Sequence, residues 1–190
     1  MHWIILEFIA ISIKAKGEYN MEINNKVKWI TFTALFMSMN IVLSSFSIPV
    51  PGGHLYLNDV VICTAAIILD PLAAFLVGGV GAFLGDMIFY PAPMFVSLVT
   101  HGIQALVISL CVNKFFKNRE EVGAVIGVSL GVIILVVGYT LGRAFVYSTI
   151  QAAVIKLPFE FFQGMFGAVC GVLLCYRASL KKRFAQIALS

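Results

Sequence analysis

Apolar residues run through this chain in long blocks separated by short polar or proline-bearing breaks. The blocks lie roughly at Val27 to Ser47, Leu57 to Leu69, Leu72 to Phe89, Phe95 to Phe115, Val122 to Tyr147 and Ile150 to Tyr176. A helix needs about 20 apolar residues to cross the hydrocarbon of a bilayer, so the pattern predicts six transmembrane helices. The second block is short for a full crossing. It reads as a tilted helix, one extended by the polar residues before it, or one beside a thinned bilayer. Pro49, Pro51, Pro71, Pro91 and Pro93 fall in the breaks. Pro158 sits inside the last block and predicts a kink there or the start of the helix. Residues 1–20 carry an apolar run, Trp3 to Ile13, that is too short to span and has no basic lead of a signal peptide. They are expected to be an extension, or an interfacial anchor, ahead of a single six-helix domain over 21–190.

Composition agrees: 61% of the 190 residues are hydrophobic and 12% charged, with a mean hydropathy of +0.99, whereas soluble domains carry about 25% charge. This makes the chain an all-α, multi-pass membrane protein, and it makes the position of each charge informative. Eleven of the 13 Lys and Arg fall in three places: Lys14, Lys16, Lys26 and Lys28; Lys114, Lys117 and Arg119; and Arg177, Lys181, Lys182 and Arg183. With six spans all three lie on one face, which the positive-inside rule makes cytoplasmic, both termini included. The net charge of +4 does not indicate nucleic acid, because no basic face interleaved with aromatics occurs.

The remaining charges enter the apolar blocks. An ionisable group there is costly unless it faces a cavity or a partner, so it marks a candidate functional position. Asp59, Asp86, Arg143, Lys156 and Glu160 are all expected in the outer half of the membrane, as an outward-facing pocket requires. Helical spacing puts Tyr139 with Arg143, Asp86 with Tyr90, His101 with Gln104, and Lys156 with Glu160 and Gln163 on shared faces. The loop before the second block adds His54, Tyr56 and Asn58. Together these offer donors, acceptors and aromatic walls for a small polar ring compound. Plainer readings stand beside them: Lys156 and Glu160 as an ion pair, Arg143 as counter-ion to Asp86, Tyr56 and Tyr90 as interfacial belt residues, and His101 as a hydrogen-bonded interior residue.

Glycines four apart, at 123, 127 and 131, at 138 and 142, at 81 and 85, and at 167 and 171, allow close helix packing within the bundle. Ala34 and Ser38 form a similar pair on the first block, where a partner could dock. The four cysteines read as small apolar filler. No P-loop, HExxH, GxSxG or spaced Cys/His set occurs, so no ATP, catalytic, metal or other cofactor site is signalled.

The order TALFMS, IPVPGGHLYLNDVV, IILDPLAAFLVGGVGAFLGD, a His-bearing fourth span and VVGYTLGRAF resembles the substrate-binding S component of an energy-coupling factor (ECF) vitamin transporter. The likeness covers about Lys26 to Arg183 and is greatest to members associated with hydroxymethylpyrimidine or riboflavin. It implies a non-catalytic vitamin-capture subunit of the plasma membrane, working with a transmembrane coupling protein and two cytoplasmic ATPases whose hydrolysis topples it in the membrane. It implies coupling-protein docking at Ala34 and Ser38, with Ser in place of the usual second Ala. The family pocket carries over to His54, Tyr56, Asn58, Asp86, Tyr90, His101, Gln104, Tyr139, Arg143 and Gln163. A small heterocycle, hydroxymethylpyrimidine or a pyridoxine-like compound, ranks first as ligand, with riboflavin and cobalamin as alternatives. From another class stands a self-sufficient proton-coupled carrier of a small polar metabolite, using Asp86 or Glu160 as relay.

Overall fold

A computed structural model describes residues 25–189. By contact density the chain divides into two units, Met1–Phe32 and Thr33–Ser190; of the first, residues 25–32 are described, and they are helical. Five helices are long and apolar enough to cross a membrane: α1 Asn25–Ser44, α3 Pro71–Phe89, α4 Met94–Phe115, α5 Glu120–Tyr147 and α6 Ile150–Arg177. Two shorter helices, α2 Asp59–Ile68 and α7 Leu180–Leu189, and one hairpin, β1 Ser47–Val50 with β2 Gly53–Tyr56, complete the described residues. The large exposed side chains are apolar ones such as Phe95, Phe145, Val154 and Phe162, while Asn40, Asp59, Gln104 and Lys156 are buried. That is the arrangement of a protein solvated by lipid, with its polar groups turned inward.

The short second block is a half-crossing. Ten residues of α2 rise about 15 Å, half the thickness of the hydrocarbon. Asp70, at the far end, is exposed and caps the next helix through Leu72 N (3.0 Å) and Ala73 N (3.2 Å), with Pro71 in the first turn where its missing N–H costs nothing. The N-terminus of α2, with Asp59, is therefore deep inside the bundle, about halfway along the crossing, at the inner limit of the outer half in which the sequence pattern places it. The other half of that crossing is the hairpin, antiparallel with Ile48 opposite Leu55 and Pro49 opposite His54. The sequence pattern indicates only a turn there. Gly52 makes the turn possible: its φ is +82°, and an added Cβ would lie 3.0 Å from Ala152 O on α6.

Polar residues order the buried face of α1. Asn40 Nδ2 donates to Val77 O (2.7 Å), Ser44 Oγ to Asn40 O (3.0 Å) and Asn58 Nδ2 to Ser44 Oγ (3.3 Å). These side chains fit because Gly85 lies opposite: a Cβ there would be 2.6 Å from Ser44 Oγ. On the other side of the same helix Ala34, Leu35, Ser38 and Met39 are exposed.

One expectation needs revision, and one segment gains structure. Helix α6 runs unbroken from Ile150 through Pro158, so the proline does not mark its start; Thr149 does, its hydroxyl accepting from Ala152 N at 3.2 Å. The basic C-terminal segment is not merely a tail. It forms α7, tied back by Lys181 to Glu120 (2.9 Å) and by the Phe184 ring 6.3 Å from Phe36. This brings the basic 114–119 loop and the basic C-terminal segment to the same end of the bundle.

Candidate functional site

At the opposite end the hairpin, the ends of α3 and α5 and the starts of α4 and α6 enclose a narrow cavity. It is lined by His54, Tyr56, Asp86, Tyr90, Pro93, Tyr139, Arg143, Tyr147, Glu160 and Gln163, and its volume is about 20 Å³, room for a water or two. Seven of the ten binding residues expected from sequence meet here. Asn58, His101 and Gln104 do not line the cavity. Asn58 faces Ser44. His101 and Gln104 lie behind the wall, the His101 ring meeting Tyr139 edge-on at 5.3 Å.

The wall is aromatic with polar atoms set into it. His54 and Tyr90 meet edge to face at 5.3 Å, and His54 and Tyr56 are tilted at 6.3 Å. Ser97 Oγ donates to Asp86 Oδ2, and the Tyr139 hydroxyl lies 2.5 Å from Ser97 Oγ. Ser97 has one proton and gives it to Asp86, so Tyr139 donates to Ser97 and the relay ends on the carboxylate. Among the described residues, Asp86 Oδ1 has no hydrogen-bond partner.

Arg143 is not the counter-ion of Asp86. Its Nη2 meets Glu160 Oε1 at 3.0 Å, and Lys156 Nζ reaches the same oxygen at 3.2 Å. The reason is helix geometry: Lys156 and Glu160 are one turn apart on α6, facing the last turn of α5. Arg143 Nη1 also donates to Gly52 O at 2.8 Å, tying down the hairpin turn, and its guanidinium carbon lies 5.2 Å from the Tyr147 ring centre. Three buried polar atoms of the lining residues have no partner among the described residues: His54 Nδ1, Arg143 Nε and Tyr147 OH. Leaving such groups unpaired is costly.

Beneath the cavity is a second network, at mid-depth. Gln163 Nε2 donates to Asp59 Oδ2 (2.6 Å), Gln104 Nε2 to Asp59 Oδ1 (3.1 Å), and His101 Nδ1 lies 2.8 Å from Gln104 Oε1. Gln163 Oε1 accepts from Tyr56 N at 2.9 Å. Tyr147, Ser97 and Pro93 are absent from the residues that sequence reasoning nominates, and Glu160 enters there as a pocket-side charge, half of an ion pair or a proton relay, but not among the ligand contacts. Tyr147 is within reach of that reasoning, since it continues the four-residue spacing of Tyr139 and Arg143. Ser97 gives no signal, being one more hydroxyl on an apolar helix.

A multi-pass bundle with an aromatic and polar cavity at one end, its charged groups turned inward, is a membrane protein with a candidate site inside it. The comparison with known proteins makes the class specific. Over residues 24–182 the chain matches the family described as ECF-type riboflavin transporter, S component, and it belongs to that family, a membrane-embedded transporter component and not an enzyme family. It is 34% identical over 143 residues to a protein of Pyrococcus woesei described as "Uncharacterized protein in gap 3'region", a match covering 74% of this chain and 92% of the relative. It is 33% identical over 99 residues to the thiamine precursor transporter HmpT of Lactococcus lactis subsp. cremoris (strain MG1363), covering 50% of this chain and 60% of that protein.

Proposed function

We propose that the protein is the substrate-capture subunit of an ATP-driven vitamin importer and that its ligand is a small heteroaromatic vitamin or precursor. The likeness to a thiamine precursor transporter favours hydroxymethylpyrimidine over riboflavin. The observation that carries the reading is the set of unpaired polar atoms on residues that line one cavity, Arg143 Nε as donor with His54 Nδ1 and Tyr147 OH, beside the Asp86 carboxylate and between rings on which a flat ligand stacks. A cavity this small admits a ring only when a wall yields, and a compact heterocycle demands less displacement than a flavin. The hairpin is the wall to move, since its strands are only four residues long and two bonds to lining residues, Arg143 to Gly52 O and Tyr56 N to Gln163, hold it down.

In this reading the cavity opens to the outside, the basic loop and the C-terminal helix face the cytoplasm, and the small pair Ala34 and Ser38 on the exposed face of α1 docks a transmembrane coupling protein that two cytoplasmic ATPases drive. The test is native mass spectrometry of the detergent-purified protein, followed by titration with hydroxymethylpyrimidine, pyridoxine and riboflavin. We expect hydroxymethylpyrimidine to bind at least about tenfold more tightly than riboflavin, a difference of about 1.4 kcal/mol. Absence of binding to all three, or accumulation by the chain alone in vesicles driven by a proton gradient, overturns the reading.

A further inference from the structure

The network around Asp59 has a direction. Tyr56 N–H donates to Gln163 Oε1, Gln163 Nε2 to Asp59 Oδ2, and Gln104 Nε2 to Asp59 Oδ1. Gln104 Oε1 only accepts, so His101 Nδ1 is the donor to it. All four bonds run toward Asp59, whose two carboxylate oxygens are each met by an amide N–H. The orientation of Gln163 is thereby fixed: turned over, its NH₂ would face the Tyr56 N–H, donor against donor. Asp59 is 1% exposed and does not line the cavity. Gln163 lines it, and strand β2, which Gln163 holds, carries His54 and Tyr56 into the wall.

We propose that Asp59 is a positioning residue: through Gln163 it sets the hydrogen bond that holds β2 over the cavity, and so governs ligand retention. The second half of this statement rests on the cavity being the ligand site, as argued above. The plainer role, anchoring α2 between α4 and α6, needs only bonds of some kind at Asp59. The positioning role needs an acceptor on one side of the Asp59–Gln163 contact and a donor on the other.

That requirement can be tested by exchanging the two groups. In Gln163→Glu two carboxyl groups meet across a 2.6 Å contact: while they share one proton the contact holds, and once both are ionised α6 or β2 must shift. In the double variant, Asp59→Asn with Gln163→Glu, every partner returns. The amide nitrogen introduced on α2 donates to the carboxylate introduced on α6, and the amide oxygen beside it accepts from Gln104. The second oxygen of the introduced carboxylate accepts from Tyr56 N, and the net charge is unchanged. Asp59→Asn alone is absorbed on the other side, where Gln104 turns over and His101 moves its proton to Nε2 and accepts.

The experiment reads amide hydrogen exchange at Tyr56, which needs no ligand, together with the Kd for hydroxymethylpyrimidine on the purified full chain. As pH is raised and the carboxyl pair of Gln163→Glu loses its shared proton, protection of the Tyr56 amide and affinity are both expected to fall by at least about tenfold relative to wild type at the same pH. Both stay within about twofold of wild type in the double variant. Wild-type protection in Gln163→Glu across the pH range in which wild type stays folded, or a double variant no better than that single one, overturns the proposal. If Gln163→Glu does not fold, a double variant that folds with wild-type protection supports it and one that does not fold overturns it. Recovery of protection without recovery of affinity overturns the role in ligand retention. Failure of wild type to bind hydroxymethylpyrimidine counts against the choice of vitamin, and the exchange data still decide whether Asp59 positions the hairpin.

Discussion

Asp86 and Glu160 are both buried carboxylates in the cavity wall, at 7% and 3% exposure, yet their surroundings assign them opposite work. Glu160 meets two cations on one oxygen. Changing Glu160 to Gln leaves Arg143 and Lys156 buried without that counter-charge, and breaking a buried pair from one side costs about 3–5 kcal/mol. We expect a sharp drop in thermal stability in detergent for this variant, measured by a fluorescence melt. Asp86 is held, among the described residues, by Ser97, and an Asn at that position can still accept that bond. The melting temperature of Asp86→Asn should therefore stay near wild type while the ligand loses an acceptor worth about 1.5–3 kcal/mol, roughly 10- to 100-fold in Kd. The sequence can mark both residues as costly in lipid, but not which partner each takes. Spacing along one helix reveals Lys156 beside Glu160; the arrival of Arg143 from α5 depends on how two helices turn against each other.

At the scale of elements, five of the six apolar blocks are legible nearly to their ends, because a bilayer imposes length and apolarity on a helix more strictly than water does. The second block is not, since half of that crossing is a hairpin whose polar, proline-bearing strands carry no hydropathy signal. Helix α1 is the element whose two faces differ most clearly. Thr33, Asn40 and Ser44 are buried in the bundle, and Ala34 and Ser38 are exposed, with Ser38 Oγ satisfied by Leu35 O at 2.8 Å. Neither exposed residue touches the cavity. A bulky residue in place of Ala34 blocks close approach of another helix without disturbing the fold. We expect Ala34→Phe to keep wild-type ligand affinity while co-purification with the coupling protein drops by at least about tenfold. Lost ligand binding with intact assembly would put this face to another use.

Over the whole of Thr33–Ser190 the charges are sorted by end. Seven of its nine cations lie in the 114–119 loop and the C-terminal segment, which are joined through Lys181 and Glu120. The cavity end holds the other two, Arg143 and Lys156, with Asp86 and Glu160 beside them, so formal charge there is balanced. A surplus of cations at one end is what insertion retains on the cytoplasmic side. A balanced cavity at the other end can take a neutral ligand without leaving a charge uncompensated in a low-dielectric site. Both follow from one orientation, and thiol labelling tests it. Asn118, in the basic loop, and Ser148, between α5 and α6, are exposed, so a cysteine at either site is reachable from water. Of the native cysteines, Cys63, Cys111 and Cys175 are buried and Cys170 is partly covered within α6, so a polar maleimide has little access to them. In intact cells a membrane-impermeant maleimide should label Ser148→Cys and spare Asn118→Cys, and in inside-out vesicles the pattern should reverse. The opposite result would place the cavity on the cytoplasmic side, where a subunit that captures vitamins from outside has no use for it.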